Sequence, residues 1–155
     1  MRKLRRREIR ATIHGMTNPT FAERKQPESF RAKALGVSLT VRDLARSLKW
    51  YTEVLGFHKS RDFERDGKVT GAALVAGAVE VSINQDDGKK GRDRPLGQGF
   101  SMRLTTEQSI DDVAARVKAA GGKLESEPAD MPWGARIFVI VDPDGYRFIV
   151  STQRK

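Results

Sequence analysis

The chain carries one order of secondary-structure patterns twice, and this repeat limits its fold more than any other feature. The alternation GVSLTV at 36–41 returns as GFSMRL at 99–104. Each copy is followed by a helical pattern and then by three strand-like segments. Because neither half can bury a sheet by itself, the repeat predicts two βαβββ modules that pack around one core, a single α+β domain of residues 34–155.

The first module, residues 34–85, contains a predicted helix between Asp43 and Gly56. Asp43 lies where a helix N-cap is expected, and Gly56 supplies a stop. Five apolar residues fall on one helical face and are expected to point inward: Leu44, Leu48, Tyr51, Val54 and Leu55. The segments FHKSRDFER, VTGAALVA and AVEVSIN are the predicted strands.

The second module, residues 99–152, follows the same plan. Ser109 begins its helix, and Asp112 three residues later resembles a capping box. The residues expected to point inward are Ile110, Val113, Val117 and Ala120. The segments KLESE, ARIFVIV and YRFIVST are the predicted strands. The linker between the modules, residues 86–98, is rich in glycine and charge, and both a lid and a plain connector are consistent with it.

The strands alternate apolar and polar residues, so each sheet should have one face of each kind. The residues expected to point toward the helices are Val37, Leu39, Val41, Val79, Val81, Ile83, Phe100, Met102, Leu104, Tyr146, Phe148 and Val150. The opposite faces carry short hydroxyl and amide side chains, with few long charged ones. Such a face is either solvated or the lining of a cavity. Two sheets that curl together would enclose a trough.

The net charge of +9 lies mostly at the head of the chain, where residues 1–33 hold ten Lys or Arg and three Glu. This segment has little hydrophobic periodicity, and we expect a disordered extension. A nucleic-acid arm and an arginine-rich targeting segment are the alternatives. Because no aromatic residues are interleaved for base stacking, a nucleic-acid partner is not expected.

The chain has no cysteine and only two histidines, His14 and His58. Disulfides, thiolate metal sites and cysteine nucleophiles are therefore excluded, and sites built on several imidazoles would need nearly every histidine. No apolar run approaches the roughly 18 residues of a membrane span, so a cytoplasmic protein without membrane contact is expected.

The stretches LTVRDLARSLKWYTEVLGF and MPWGARIFVIVDPDGYRFIV resemble the glyoxalase/bleomycin-resistance/extradiol-dioxygenase family, the vicinal oxygen chelate superfamily. The resemblance covers residues 35–152. It implies two βαβββ modules forming a cupped mixed sheet with helices outside, and a small-molecule pocket. Members of the family are often dimers, which implies a homodimer.

The resemblance also locates the metal ligands of metal-dependent members. Carried over by position, three of the four ligand places fall on Gly36, Gly99 and Ile149, and only Glu80 offers a donor. Because one carboxylate does not hold a divalent ion, no cofactor is expected. A metal remains an alternative, with weak oxygen ligands from Asn84, Asp86 or Asp87.

Two functions follow from the resemblance. In the first, the protein sequesters a small molecule without metal, and the arginines of the lining favour an anionic ligand. The predicted lining consists of Ser38, Thr40, Ser82, Asn84, Ser101, Arg103, Arg147 and Glu80, with Trp133 as a stacking wall. In the second, the protein is a lyase, isomerase or dioxygenase, either metal-dependent or with Glu80 as the catalytic base.

Structural roles compete with these assignments. Glu80, Arg103 and Arg147 would equally form an internal ion-pair cluster that joins the modules. Trp133, between Pro132 and Gly134, would equally plug the end of a sheet.

Overall fold

A computed structural model describes residues 34–153 of the chain. The predicted basic extension of residues 1–33 and His14 lie outside the described residues. The strands are β1 (Val37–Val41), β2 (His58–Arg65), β3 (Lys68–Ala76), β4 (Val79–Gln85), β5 (Ser101–Thr105), β6 (Leu124–Asp130), β7 (Arg136–Val141) and β8 (Arg147–Ser151), and the helices are α1 (Leu44–Lys49) and α2 (Ile110–Ala119).

The strands form two four-stranded mixed sheets with the same plan. The first has the order β1-β4-β3-β2 and the second the order β5-β8-β7-β6. The opening strand of each module pairs in parallel with its closing strand, and the other neighbours are antiparallel. The predicted fold class of two βαβββ modules is confirmed.

The helices begin where the sequence places them. The carboxylate of Asp43 accepts the N–H of Arg46 at 2.9 Å, and the hydroxyl of Ser109 accepts the N–H of Asp112 at 3.3 Å. The first helix differs from the prediction in one respect, because α1 continues as a π-helical segment over Trp50–Val54. The N–H of Leu55 there bonds the carbonyl of Trp50, five residues earlier, at 3.1 Å.

One hydrophobic core holds both modules together. Side chains from both sheets and both helices belong to it, and Tyr51, Phe138 and Phe148 are fully buried. The rings of Tyr51 and Phe148 meet edge to face at 5.8 Å across the module boundary. The predicted inward positions are mostly correct. Ala120 is exposed instead, and Ala114 takes its place in the core.

Two further predicted core residues, Val79 and Phe100, are also exposed. Val79 begins its strand and Phe100 precedes β5, so neither is covered by the helix of its module.

Buried polar contacts join the modules beside this core. The hydroxyl of Tyr51 donates to the carboxylate of Asp142 at 2.9 Å, and the hydroxyl of Ser47 donates to Asp144 at 3.2 Å. The hydroxyl of Tyr146 donates to the carbonyl of Thr40 at 2.9 Å. Burial raises the pKa of the Asp142 carboxyl, although its hydrogen bonds act in the opposite direction. Burial beside Asp142 likewise raises the pKa of the Tyr51 hydroxyl.

Among the described residues, no helix is long and apolar enough to cross a bilayer.

Candidate functional site

The predicted lining residues of the first module share the polar face of the first sheet. In the paired strands β1 and β4, Ser38 lies beside Ser82 and Thr40 beside Asn84. The amide of Asn84 donates to the hydroxyl of Ser38 at 2.9 Å. These four residues therefore form one continuous polar surface.

The predicted lining residues of the second module lie on the other sheet. Ser101 and Arg103 are exposed on β5, Arg147 on β8 pairs with Glu125, and Trp133 is 45% exposed between β6 and β7. Both sheets turn their apolar faces into the same core, so their polar faces point away from it.

Glu80 is exposed rather than buried. Its carboxylate lies 3.5 Å from the guanidinium of Arg61 on β2. The ion-pair cluster of Glu80 with Arg103 and Arg147 is therefore wrong for the single chain, because Glu80 pairs with Arg61 on its own sheet and Arg147 pairs with Glu125 on the other.

A cleft of about 350 Å³ opens at the carboxyl ends of β1 and β4, where the polar face of the first sheet meets the linker. Because the two strands are parallel and adjacent, their ends bring β1, β4 and the loop that follows β4 to one place. The cleft is lined by Thr40, Arg65, Thr70, Asn84, Gln85, Asp86, Asp87, Lys90 and Arg94. Of this set, the sequence predicted Thr40 and Asn84 as ligand-binding residues and gave Asp86 and Asp87 only as alternative weak metal ligands; the other five were not predicted.

Two cations of the cleft are free for a ligand. Asp86 pairs with Arg94 at 2.9 Å, and Asp87 pairs with Lys89 at 3.4 Å. In the part of the chain that the structure describes, no carboxylate lies within 4.0 Å of the Arg65 guanidinium or the Lys90 ammonium. The cleft therefore carries uncompensated positive charge.

Asp86 keeps its negative charge in this setting. The N–H of Gly88 and the guanidinium of Arg94 lower the pKa of its carboxyl. The carboxylate accepts the Gly88 N–H at 3.0 Å. Asp86 is thus held by the loop itself and leaves Arg65 and Lys90 without a partner.

The sheet beside the cleft is closely packed around Gly71. A Cβ at this position would lie 2.5 Å from the carbonyl oxygen of Ile83 and 2.8 Å from Oδ1 of Asn84. The ring of Phe63 also lies against Gly71, and the Arg61 guanidinium stacks 5.5 Å from the centre of that ring. Glycine at 71 therefore lets Asn84 and Phe63 lie close to the backbone.

The residues at the family's metal-ligand places do not fit a metal. Gly36, which directly precedes β1, has no side chain to offer, the carboxylate of Glu80 faces Arg61, and Ile149 pairs with Arg103 on β5. Within residues 34–153, no group of three or more His, Cys, Asp or Glu side chains is arranged to hold an ion. Asp86 and Asp87, considered above as weak ligands, are engaged by Arg94 and Lys89. His58 is exposed on β2.

Comparison with known proteins places the chain among relatives of the same fold. A sequence model described as Glyoxalase/Bleomycin resistance protein/Dioxygenase superfamily matches residues 34–150. A lactoylglutathione lyase of Arabidopsis thaliana is 31% identical over 131 residues, which are 79% of this chain and 44% of that protein. The chain thus spans less than half of the plant protein.

Two further relatives match along nearly their whole length. A probable lactoylglutathione lyase of Synechocystis is 29% identical, and the match covers 78% of this chain and 96% of that protein. A crystal structure of a superfamily member from Sphaerobacter thermophilus superposes with a TM-score of 0.64 at 25% identity, covering 79% of this chain and 98% of the other.

Proposed function

Because the chain belongs to the glyoxalase/bleomycin resistance protein/dioxygenase superfamily, we propose that it binds a small anionic molecule in the cleft at the ends of β1 and β4. The observation that carries this proposal is the pair of cations, Arg65 and Lys90, that face the cleft without a carboxylate partner. A guanidinium and an ammonium in one lining suit a carboxylate or another oxyanion.

The remaining lining supplies hydrogen bonds that would orient such a ligand. Thr40, Thr70 and Asn84 offer hydroxyl and amide groups next to the two cations. A volume of about 350 Å³ falls within the roughly 300–1,000 Å³ of small-molecule sites. The site is metal-poor, and the ligand would be held by charge and hydrogen bonds.

The experiment is a calorimetric titration of the full chain with three probes, lactoylglutathione, glutathione and lactate. The first probe comes from the names of the relatives. We expect saturable binding of at least one probe and about tenfold weaker binding in Lys90→Gln and in Arg65→Gln, the loss of one partly solvated charged contact. Lys123→Gln, an exposed lysine between α2 and β6, is the matched control and should bind normally. No binding of any probe would contradict the proposal.

Sequestration and catalysis make different predictions for the bound probe. We propose sequestration, in which lactoylglutathione binds and its mass does not change. The second candidate is a lyase with Glu80 as the base, favoured by relatives that are named lactoylglutathione lyases. Mass spectrometry after incubation separates the two. The incubations start both from lactoylglutathione and from glutathione with methylglyoxal, the two products of its cleavage. Turnover in either direction that disappears in Glu80→Gln while binding remains would establish the lyase, and no turnover in either direction would support sequestration.

The chain is also proposed to form a homodimer in the cytoplasm. The exposed aromatic rings of Phe100 and Trp133 offer apolar surface to a second copy. Light scattering on a sizing column should give twice the chain mass, and a monomer would contradict the dimer.

A further inference from the structure

One side chain of the first module, Arg42, joins the second module to the wall of the cleft. Arg42 directly follows β1, and its Nη1 lies 3.1 Å from the carboxylate of the buried Asp144 in the turn before β8. Its Nη2 donates to the carbonyl oxygen of Arg94 at 2.7 Å. A single guanidinium thus holds the closing turn and the linker at a fixed spacing.

Arg94, the residue held in this way, organises the linker. Its Nη1 pairs with Asp86 at 2.9 Å and donates to the carbonyl of Gly91 at 2.7 Å. These contacts hold Arg94 close to Asp86 and Gly91, and Lys90 lies between Asp86 and Arg94 in the sequence. The position of the Lys90 ammonium in the cleft therefore depends on where Arg94 is held.

A second contact attaches the same loop to the same turn. A Cβ at Gly97 would lie 2.3 Å from the carbonyl carbon and oxygen of Gly145, so the two backbones touch. Gly97 has φ +68°, a conformation that glycine adopts without strain. Gly97 thus packs the linker on the turn that contains Asp144 and Gly145. Arg42 holds the linker at Arg94, which lines the cleft.

We propose that Arg42 is a positioning residue, through which the closing turn of the second module sets the affinity of the first module's cleft for its anion. This inference rests on the proposed function for its ligand. It assigns the linker the role of a fixed wall, held by the Arg42 bridge from Asp144 to Arg94 and by the packing of Gly97 on Gly145, rather than that of a plain connector.

Two variants separate positioning from simple electrostatics. Arg42→Lys keeps the positive charge but loses the two-pronged geometry, so electrostatics alone predicts unchanged binding of an anion. Asp144→Asn removes a negative charge, so electrostatics alone predicts tighter binding. Positioning predicts weaker binding in both, by about threefold to tenfold for an energetic coupling of ordinary size.

The experiment measures the affinity for lactoylglutathione and the amide hydrogen exchange of residues 86–97 in the full chain. Both variants should bind more weakly and exchange at least about threefold faster in this loop. Val117→Ala, which removes two buried methyl groups from α2, is the control for general destabilisation and should leave both readouts unchanged below its melting temperature.

The outcomes are distinguishable. Unchanged affinity and unchanged exchange in Arg42→Lys would overturn the positioning role, and this variant decides the question even if Asp144→Asn does not fold. If the wild-type chain binds no probe, the proposed function fails, and the exchange of the loop alone then decides whether Arg42 positions it.

Discussion

The two modules share one strand order but differ at the ends of their central strands. In the first, β4 is followed by the linker, whose residues line the cleft beside the polar face. In the second, the residue after β8 continues the pairing with β7, where the N–H of Thr152 bonds the carbonyl of Arg136 at 3.0 Å and its hydroxyl accepts the N–H of Arg136 at 3.0 Å. The cleft therefore comes from the connection and not from the repeated sheet.

The side chains at equivalent positions on the polar faces of the two sheets also differ. Gly71, Asn84 and Thr40 lie side by side across the first sheet. Their counterparts in the second sheet are Val139, Ile149 and Arg103. Beside the cleft, the first sheet thus has one glycine and two hydrogen-bonding residues at the positions where the second sheet has two aliphatic residues and an arginine. The two modules therefore share a hydrophobic core and a strand order, but their polar faces carry different side chains.

The largest expected effect tests whether the two modules depend on one core. Phe148→Ala should lower the free energy of unfolding by about 3–5 kcal/mol, since it removes a fully buried ring that contacts Tyr51 of the other module. Urea unfolding followed by tryptophan fluorescence and by circular dichroism should still give one coincident transition. Phe100→Ala, at a half-exposed ring, should cost much less. Two separate transitions would show that the modules are independent.

A smaller effect is expected at the centre of the first sheet. Gly71→Ala should destabilise the chain by about 1–3 kcal/mol, because its Cβ would press on the Ile83 carbonyl and displace Asn84. Gly36→Ala, where a Cβ meets nothing within 4 Å, is the matched control and should be neutral. Thermal unfolding of both variants measures the difference. Equal stability of the two would mean that the polar face of the first sheet is loosely packed.

The contact between the modules should also make stability depend on pH. Asp142 has a raised pKa in the folded chain, so the folded state holds its proton more tightly than the unfolded state does. The contribution of Asp142 to the free energy of unfolding is therefore full below its pKa in the unfolded chain. It is lost as the pH rises through the pKa of Asp142 in the folded chain. Relative to Asp142→Asn, the wild-type chain should gain stability as pH falls from 7 to 4, measured by urea titration. A constant difference between the two would contradict this assignment.

Much of the fold could be predicted because the relevant signals are local. Asp43 and Ser109 cap their helices as expected, and alternation placed Leu39, Ile83 and Phe148 in the core. These predictions depend on period and capping chemistry, which short stretches of sequence contain.

The site was less predictable because it is made by long-range contacts. The linker has no periodicity, and Arg94 reaches the cleft through its bonds to Asp86 and Arg42. Glu80 was expected to meet the arginines of the other sheet. In the β2–β3 pairing, Lys59 lies opposite Leu74 and Arg61 lies opposite the next residue, Ala73, so Ser60 is an extra residue that forms a bulge. The bulge moves Arg61 to the polar face, where it meets Glu80. One signal was available: a long charged loop directly after the closing strand of the first module.

The central claim is that the first sheet and the linker carry the anion site and the polar face of the second sheet does not, and one titration tests it most directly. Lys90→Gln and Arg103→Gln each remove one positive charge, the first from the cleft and the second from the polar face of the other sheet. Titration with lactoylglutathione should give about tenfold weaker binding for Lys90→Gln and wild-type affinity for Arg103→Gln. Lost affinity in Arg103→Gln with normal binding in Lys90→Gln would place the site on the second module and contradict the account.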